Sequence, residues 1–125
     1  MLGIAAFAVR LAFLPCRGIP EGDGCHYVAF ARDFQRGEFR TVGTYWPMGW
    51  PACIALAGSL VGDAERGGRL LALLAGTGAV GLTWLLARRL FGGPVAWLAS
   101  LFLCFSAYAV IFSTVLFNEA LYGFL

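Results

Sequence analysis

An all-α integral membrane architecture is what this sequence predicts, and three observations carry that reading. The chain is 60% hydrophobic and only 13% charged, with a mean hydropathy of +0.78; soluble domains carry roughly a quarter charged residues. So little polar surface cannot cover a globule, which makes lipid the solvent for much of the chain. The apolar residues are gathered into runs separated by short charged or glycine- and proline-rich stretches. One of these runs, residues 94–117, is without charge from end to end, and about 20 such residues suffice to cross a bilayer.

Taken in order, residues 1–15, "MLGIAAFAVRLAFLP", form the first predicted span, interrupted by Arg10. It is short, so it tilts or begins upstream. A signal peptide is the weaker reading, because a basic n-region is missing and Pro15–Cys16 is a poor small-residue cleavage site. Residues 16–68 form a long loop with interfacial helices. Within it, "EGDGCHYVAFARDFQRGEF" holds Glu21, Asp23, Asp33, Glu38 and the only histidine, His26. Tyr27, Phe30, Ala31 and Phe34 fall on one helical face while Arg32, Asp33 and Arg36 fall elsewhere, as in a helix lying along a membrane surface. Gly37 is placed to end it. In "TVGTYWPMGWP" the prolines exclude a regular helix, and Tyr45, Trp46 and Trp50 suit the headgroup level.

Residues 51–62 are too few to cross and read as an interfacial or re-entrant helix, with Pro51 in its first turn and Gly62 at its end. A second span is predicted over 69–90, where Ala75, Gly76, Gly78, Ala79 and Gly81 offer close approach to a neighbouring helix. The third span is 94–117. Glu119 then opens a further apolar run, 119–125, without a helix stop signal, so the sequence reads as the N-terminal part of a longer chain. Arg88 and Arg89, in the link between two spans, mark that link as cytoplasmic. The loop of Asp23 then faces outward, and Glu119 falls on the same side.

Several classes are excluded. All nine basic residues are arginine, the net charge is +2, and no arginine cluster alternates with aromatics, so nucleic acid is not an expected partner. Cys16, Cys25, Cys53 and Cys104 have no C-x-x-C spacing, which argues against zinc. Cys104 in its apolar run reads as a small hydrophobe. Cys16 and Cys25 flank the charged loop, and their pairing is left open.

Five residues are candidates for chemistry. Asp23 suits two roles, an N-cap for the helix that follows and a general base at the membrane surface. Arg69 at the outer end of its span is either a snorkelling anchor or a guanidinium fork for a phosphate. Arg10 lies deeper, where an ionisable residue costs about 3 kcal/mol to insert; either a functional or pairing role or reaching back to the headgroups accounts for it. Glu119 either complements the dipole of the helix it opens or is a second acid near the site. Tyr27 suits stacking or hydrogen bonding at a sugar, or simple interfacial anchoring.

The order "R…GD…Y…A…G…P.G.P……LxG……R…LARRLFG……NE" resembles the N-terminal part of the GT-C superfamily of integral-membrane glycosyltransferases. The likeness is greatest to the group of protein O-mannosyltransferases and aminoarabinose transferases (glycosyltransferase family 39-like). It is carried by Arg10, Gly22–Asp23, Tyr27, Ala31, Gly37, Pro47, Gly49, Pro51, Leu60, Gly62, Arg69, the stretch 86–92 and Glu119. Two features depart from the pattern: Asp23–Gly24 stands where many relatives have two adjacent acids, and "FSAYAV" lacks a proline common there.

The resemblance implies a multi-pass GT-C-type helical domain in the cell (inner) membrane that uses a polyprenyl-phosphate-linked sugar. Asp23 would then be the base that activates an acceptor hydroxyl, with inversion at the anomeric carbon. Tyr27, Arg69, Arg10 and Glu119 would be substrate-binding, and this portion alone is expected to be inactive. No cofactor is expected; two carboxylates without other hard ligands make a weak case for a divalent metal. A non-catalytic membrane subunit, or a truncated remnant that binds lipid or partner helices, is the alternative.

Overall fold

A computed structural model of the chain describes residues 2–14, 22–38, 47–116 and 119–124. Cys16, Tyr45 and Trp46 lie outside the described residues. Those described form seven helices and no strand: α1 (Leu2–Phe13), α2 (Asp23–Arg36), α3 (Gly49–Val61), α4 (Ala64–Phe91), α5 (Gly93–Phe105), α6 (Ala107–Phe112) and α7 (Glu119–Phe124).

The helix ends follow local chemistry. Gly37 takes the left-handed conformation at φ 76°, and its N–H and that of Glu38 bond back to Phe34 O and Asp33 O, the Schellman arrangement. Gly62, at φ 86°, ends α3 with a single bond to Gly58 O of 2.8 Å. Both stops stand at the predicted glycines. The next helix begins earlier than expected. Asp63, in extended backbone, caps α4 by accepting from the Arg66 backbone N–H at 2.9 Å. Glu65 in the first turn and Arg88 and Arg89 in the last complement its dipole. This cap draws residues 64–68, expected in the loop, into a helix of 28 residues, about 42 Å long.

Among the described residues α4 is the one helix long and apolar enough to cross a membrane; α1, α3 and α5 are shorter apolar helices. The uncharged run 94–117, expected as one continuous helix, is broken. Ser106 adopts φ −60° and ψ 120°, dividing α5 from α6. Serine competes for backbone hydrogen bonds and is a weak point in an otherwise apolar helix. After Phe112 the Ser113 hydroxyl donates to Ala109 O (2.7 Å) and Val110 O (2.9 Å), and Thr114 Oγ1 donates to Ile111 O (2.9 Å). These hydroxyls add to the backbone bonds that Ala109 O and Ile111 O already accept from Ser113, Thr114 and Val115 N–H, and they tighten the end of the helix.

Helix α4 is the common packing partner. It meets α3 on one side and α5 on another, with α1, α2, α6 and α7 also against it. The α3–α4 crossing is close enough that a Cβ at Gly67 would land on the Gly58 backbone. One apolar cluster joins Tyr27, Val28 and Ala31 of α2 to Trp50, Ile54 and Ala55 of α3, Ala64 and Ala72 of α4, and Leu116. Trp50, expected at the headgroup level, is instead 1% exposed, and its indole N–H donates to Leu116 O at 3.2 Å. The carbonyl gives the indole a partner inside the core, so no water is needed. A smaller cluster holds Ala6, Val80 and Cys104.

Candidate functional site

The five candidates fall into three places. Asp23 is exposed in the first turn of α2. It is not the N-cap: Gly22 occupies that position at φ 57°, with no side-chain cap bond. Glycine tolerates this positive φ, and the aspartate follows as the first helical residue, where its charge suits the positive end of the dipole. One turn later on the same helix is Tyr27, 3% exposed in the α2–α3–α4 cluster. Its ring, expected to meet a sugar at the interface, is covered by protein and holds α2 in place beneath Asp23. Two contacts fix that helix further. Gln35 Nε2 donates to Ala55 O at 2.9 Å, and Arg32 lies 3.7 Å from Asp63 in a surface pair.

Arg69 is on α4, half-buried, with Nε and Nη2 donating to the same Glu65 oxygen at 3.0 and 2.9 Å. The fork predicted for a phosphate is therefore engaged by a carboxylate one turn earlier. That pair was visible as an i,i+4 spacing, the arrangement in which oppositely charged helical side chains meet.

Arg10 and Glu119, the first and last candidates in the sequence, come together. They line one cavity of about 200 Å³ with Gly76 of α4, Leu103 of α5, Tyr108 of α6 and Ser113. Arg10 is 1% exposed. Its Nη1 donates to Ala6 O, one turn back on α1, at 3.1 Å. Its Nε is buried without a hydrogen-bond partner. The close fit depends on Gly76, where a Cβ would collide with Ser113 and stand 3.0 Å from Arg10 Nε. Glu119 is exposed at the start of α7. Helix α7 links the two regions, because Leu121 packs against the cluster that contains Tyr27.

Sequence reasoning missed Cys104 and Ser113 as neighbours of Arg10. The adjacent hydroxyls of "FSTV" were the available signal. Among the described residues no three His, Cys, Asp or Glu side chains form a group able to hold a metal ion.

The described residues form helices and the short turns between them, with one helix of membrane length, and they place the buried Arg10 and the exposed Glu119 on one cavity. Residues 46–124, well over half of the chain, match the model of the dolichyl-phosphate-mannose-protein mannosyltransferase family, and the chain belongs to that family. These are membrane glycosyltransferases of GT-C type, and their donor is a lipid-linked sugar. The match takes in Arg69 and Glu119 and begins after Arg10, Asp23 and Tyr27. No curated protein and no solved structure matches the chain.

Proposed function

We propose that this chain carries the donor side of a multi-pass membrane glycosyltransferase in the cell membrane, with the Asp23 segment facing outward. It moves a sugar from a polyprenyl-phosphate donor to an acceptor hydroxyl. The observation that carries this reading is family membership over residues 46–124, and an exposed carboxylate on a firmly packed helix fits it.

In this mechanism the Asp23 carboxylate takes the proton of the acceptor hydroxyl as its oxygen attacks the anomeric carbon. The bond from that carbon to the phosphate oxygen breaks on the opposite face, the configuration inverts, and the polyprenyl phosphate leaves with the bonding pair. Charge develops on the phosphate, and a fixed cation lowers the barrier to its departure. Arg10 and Arg69 are the candidates for that role; Arg69 would have to share its fork with Glu65. Glu119 is an acceptor for sugar hydroxyls, and Tyr27 supports the helix that presents Asp23. No step requires a metal or an organic cofactor.

The test is Asp23→Asn in the full-length protein, assayed in membranes for transfer from a mannosyl-phosphoryl polyprenol. Transfer is expected to fall by roughly 10²- to 10⁴-fold, the usual weight of general-base catalysis, while abundance in the membrane is unchanged. Undiminished transfer would sink the assignment of Asp23 as base.

A further inference from the structure

We propose that the cleft between α1, α4 and α5, at the Arg88 end of α4, holds an anionic phospholipid of the bilayer. Its acyl chain lies between the helices and its phosphate rests on Arg88. The site is about 25 Å along α4 from Arg69 and takes no part in the transfer reaction.

The cleft encloses about 260 Å³ and is lined by Leu2 and Gly3 of α1, Val80, Gly81 and Trp84 of α4, and Trp97 of α5. That is many times the share of one water, about 30 Å³, and the lining suits hydrocarbon. Two glycines keep it open. A Cβ at Gly67, Gly68, Gly76 or Gly78 would run into a neighbouring residue, so helix packing accounts for those glycines of α4. A Cβ at Gly3 or Gly81 meets nothing within 4 Å. Glycine inside a helix costs about 1 kcal/mol relative to alanine. At Gly81 no described residue uses the space that this cost leaves free.

Two polar groups beside the cleft call for what a phospholipid supplies. The indole Nε1 of Trp84 is buried without a hydrogen-bond partner. Buried donors almost always have an acceptor, and an acyl ester carbonyl is one. One turn further along α4, the Arg88 guanidinium carbon lies 4.8 Å from the centroid of the Trp84 ring. Stacking holds the planar group by its face and leaves its N–H edge for phosphate oxygens. Arg88 is exposed, and among the described residues neither it nor Arg89 belongs to an ion pair. The sequence has no Asp or Glu between Glu65 and Glu119, or before Glu21. The rim of the cleft is therefore basic and complements an anionic headgroup, as basic pockets between membrane helices do. A second copy of the chain seated there would bring its own arginines against these, and like charges repel.

The experiment is native mass spectrometry of the full-length chain released from phosphatidylcholine nanodiscs that hold equal fractions of phosphatidylglycerol and a polyprenyl monophosphate. The wild type is expected to retain phosphatidylglycerol in preference to phosphatidylcholine. Arg88→Gln should lower that retention about tenfold, the scale of one lost charge-assisted bond. Gly81→Leu, which fills the cleft and leaves Arg88 in place, should lower it as far. Arg89→Gln is the control, because Arg89 lines a different cavity with Phe124, and retention should be unchanged. Equal losses in Arg88→Gln and Arg89→Gln, or no loss in Gly81→Leu, would show a diffuse attraction to charge and overturn the proposal. Retention of the polyprenyl phosphate in place of phosphatidylglycerol, lost in the same variants, also overturns it, because the cleft would then serve the donor. Circular dichroism checks that each variant is helical, and Gly81→Leu decides the matter if Arg88→Gln does not fold. Binding is read without turnover, so an empty cleft leaves the transferase reading standing.

Discussion

Replacing Gly76 by alanine sets two opposed effects against each other on one helix. In an open helix interior, Gly→Ala stabilises by about 1 kcal/mol, because alanine loses less backbone entropy. Gly81 on the same helix supplies that reference, since a Cβ there meets nothing within 4 Å. At Gly76 the same Cβ collides with the Ser113 side chain, which is 1% exposed, and stands 3.0 Å from the buried Arg10 Nε. Overpacking of this kind costs about 1–3 kcal/mol. The Ser113 hydroxyl is fastened to two carbonyls and cannot swing away without breaking a bond. Gly76→Ala is therefore expected to be net destabilising by up to about 2 kcal/mol. Gly81→Ala is expected to gain up to about 1 kcal/mol. The assay is the unfolding midpoint of the reconstituted chain on titration with a denaturing detergent, followed by circular dichroism. A Gly76→Ala chain as stable as Gly81→Ala would refute the close contact of α4 with Ser113 and Arg10.

Two further substitutions probe the fold. Asp63→Ala removes the cap of α4 and should cost about 1 kcal/mol, seen as faster hydrogen exchange in its first turn. Asp63→Asn should keep most of that protection, because the surface pair with Arg32 is worth little. Trp50→Phe leaves Leu116 O buried without its donor and should cost about 1–3 kcal/mol. The detergent midpoint would move accordingly, and no movement would place the indole N–H elsewhere.

The helix punctuation was legible in the sequence because it depends on neighbours in the chain. Gly37, Gly62 and Pro51 act through backbone geometry alone, and all three do what their positions predict. The start of α4 was misjudged because hydropathy begins at Leu70 while the cap at Asp63 sits in a charged stretch. The break at Ser106 escaped because a serine in an apolar run satisfies a span pattern as well as a break. Tertiary partners were the least legible. Trp50 could be placed at an interface until Leu116, far along the chain, was seen to receive its N–H. Arg10 stood out as costly, but its neighbours Gly76, Cys104 and Ser113 are scattered over α4, α5 and the turn after α6. Arg69 and Glu65 are the reverse case, a local pair readable from their i,i+4 spacing.

The burial of Arg10 also bears on the order in which the chain is made. Helix α1 leaves the ribosome long before Gly76, Cys104 and Ser113 exist, so its guanidinium is made ahead of every later residue that will surround it. Until then it has only Ala6 O within its own helix, and burying a charge with so few partners is costly. Its guanidinium is therefore enclosed only once Gly76 of α4 and the residues after it have been made. The burial of the first helix is decided late in synthesis, by residues that follow it.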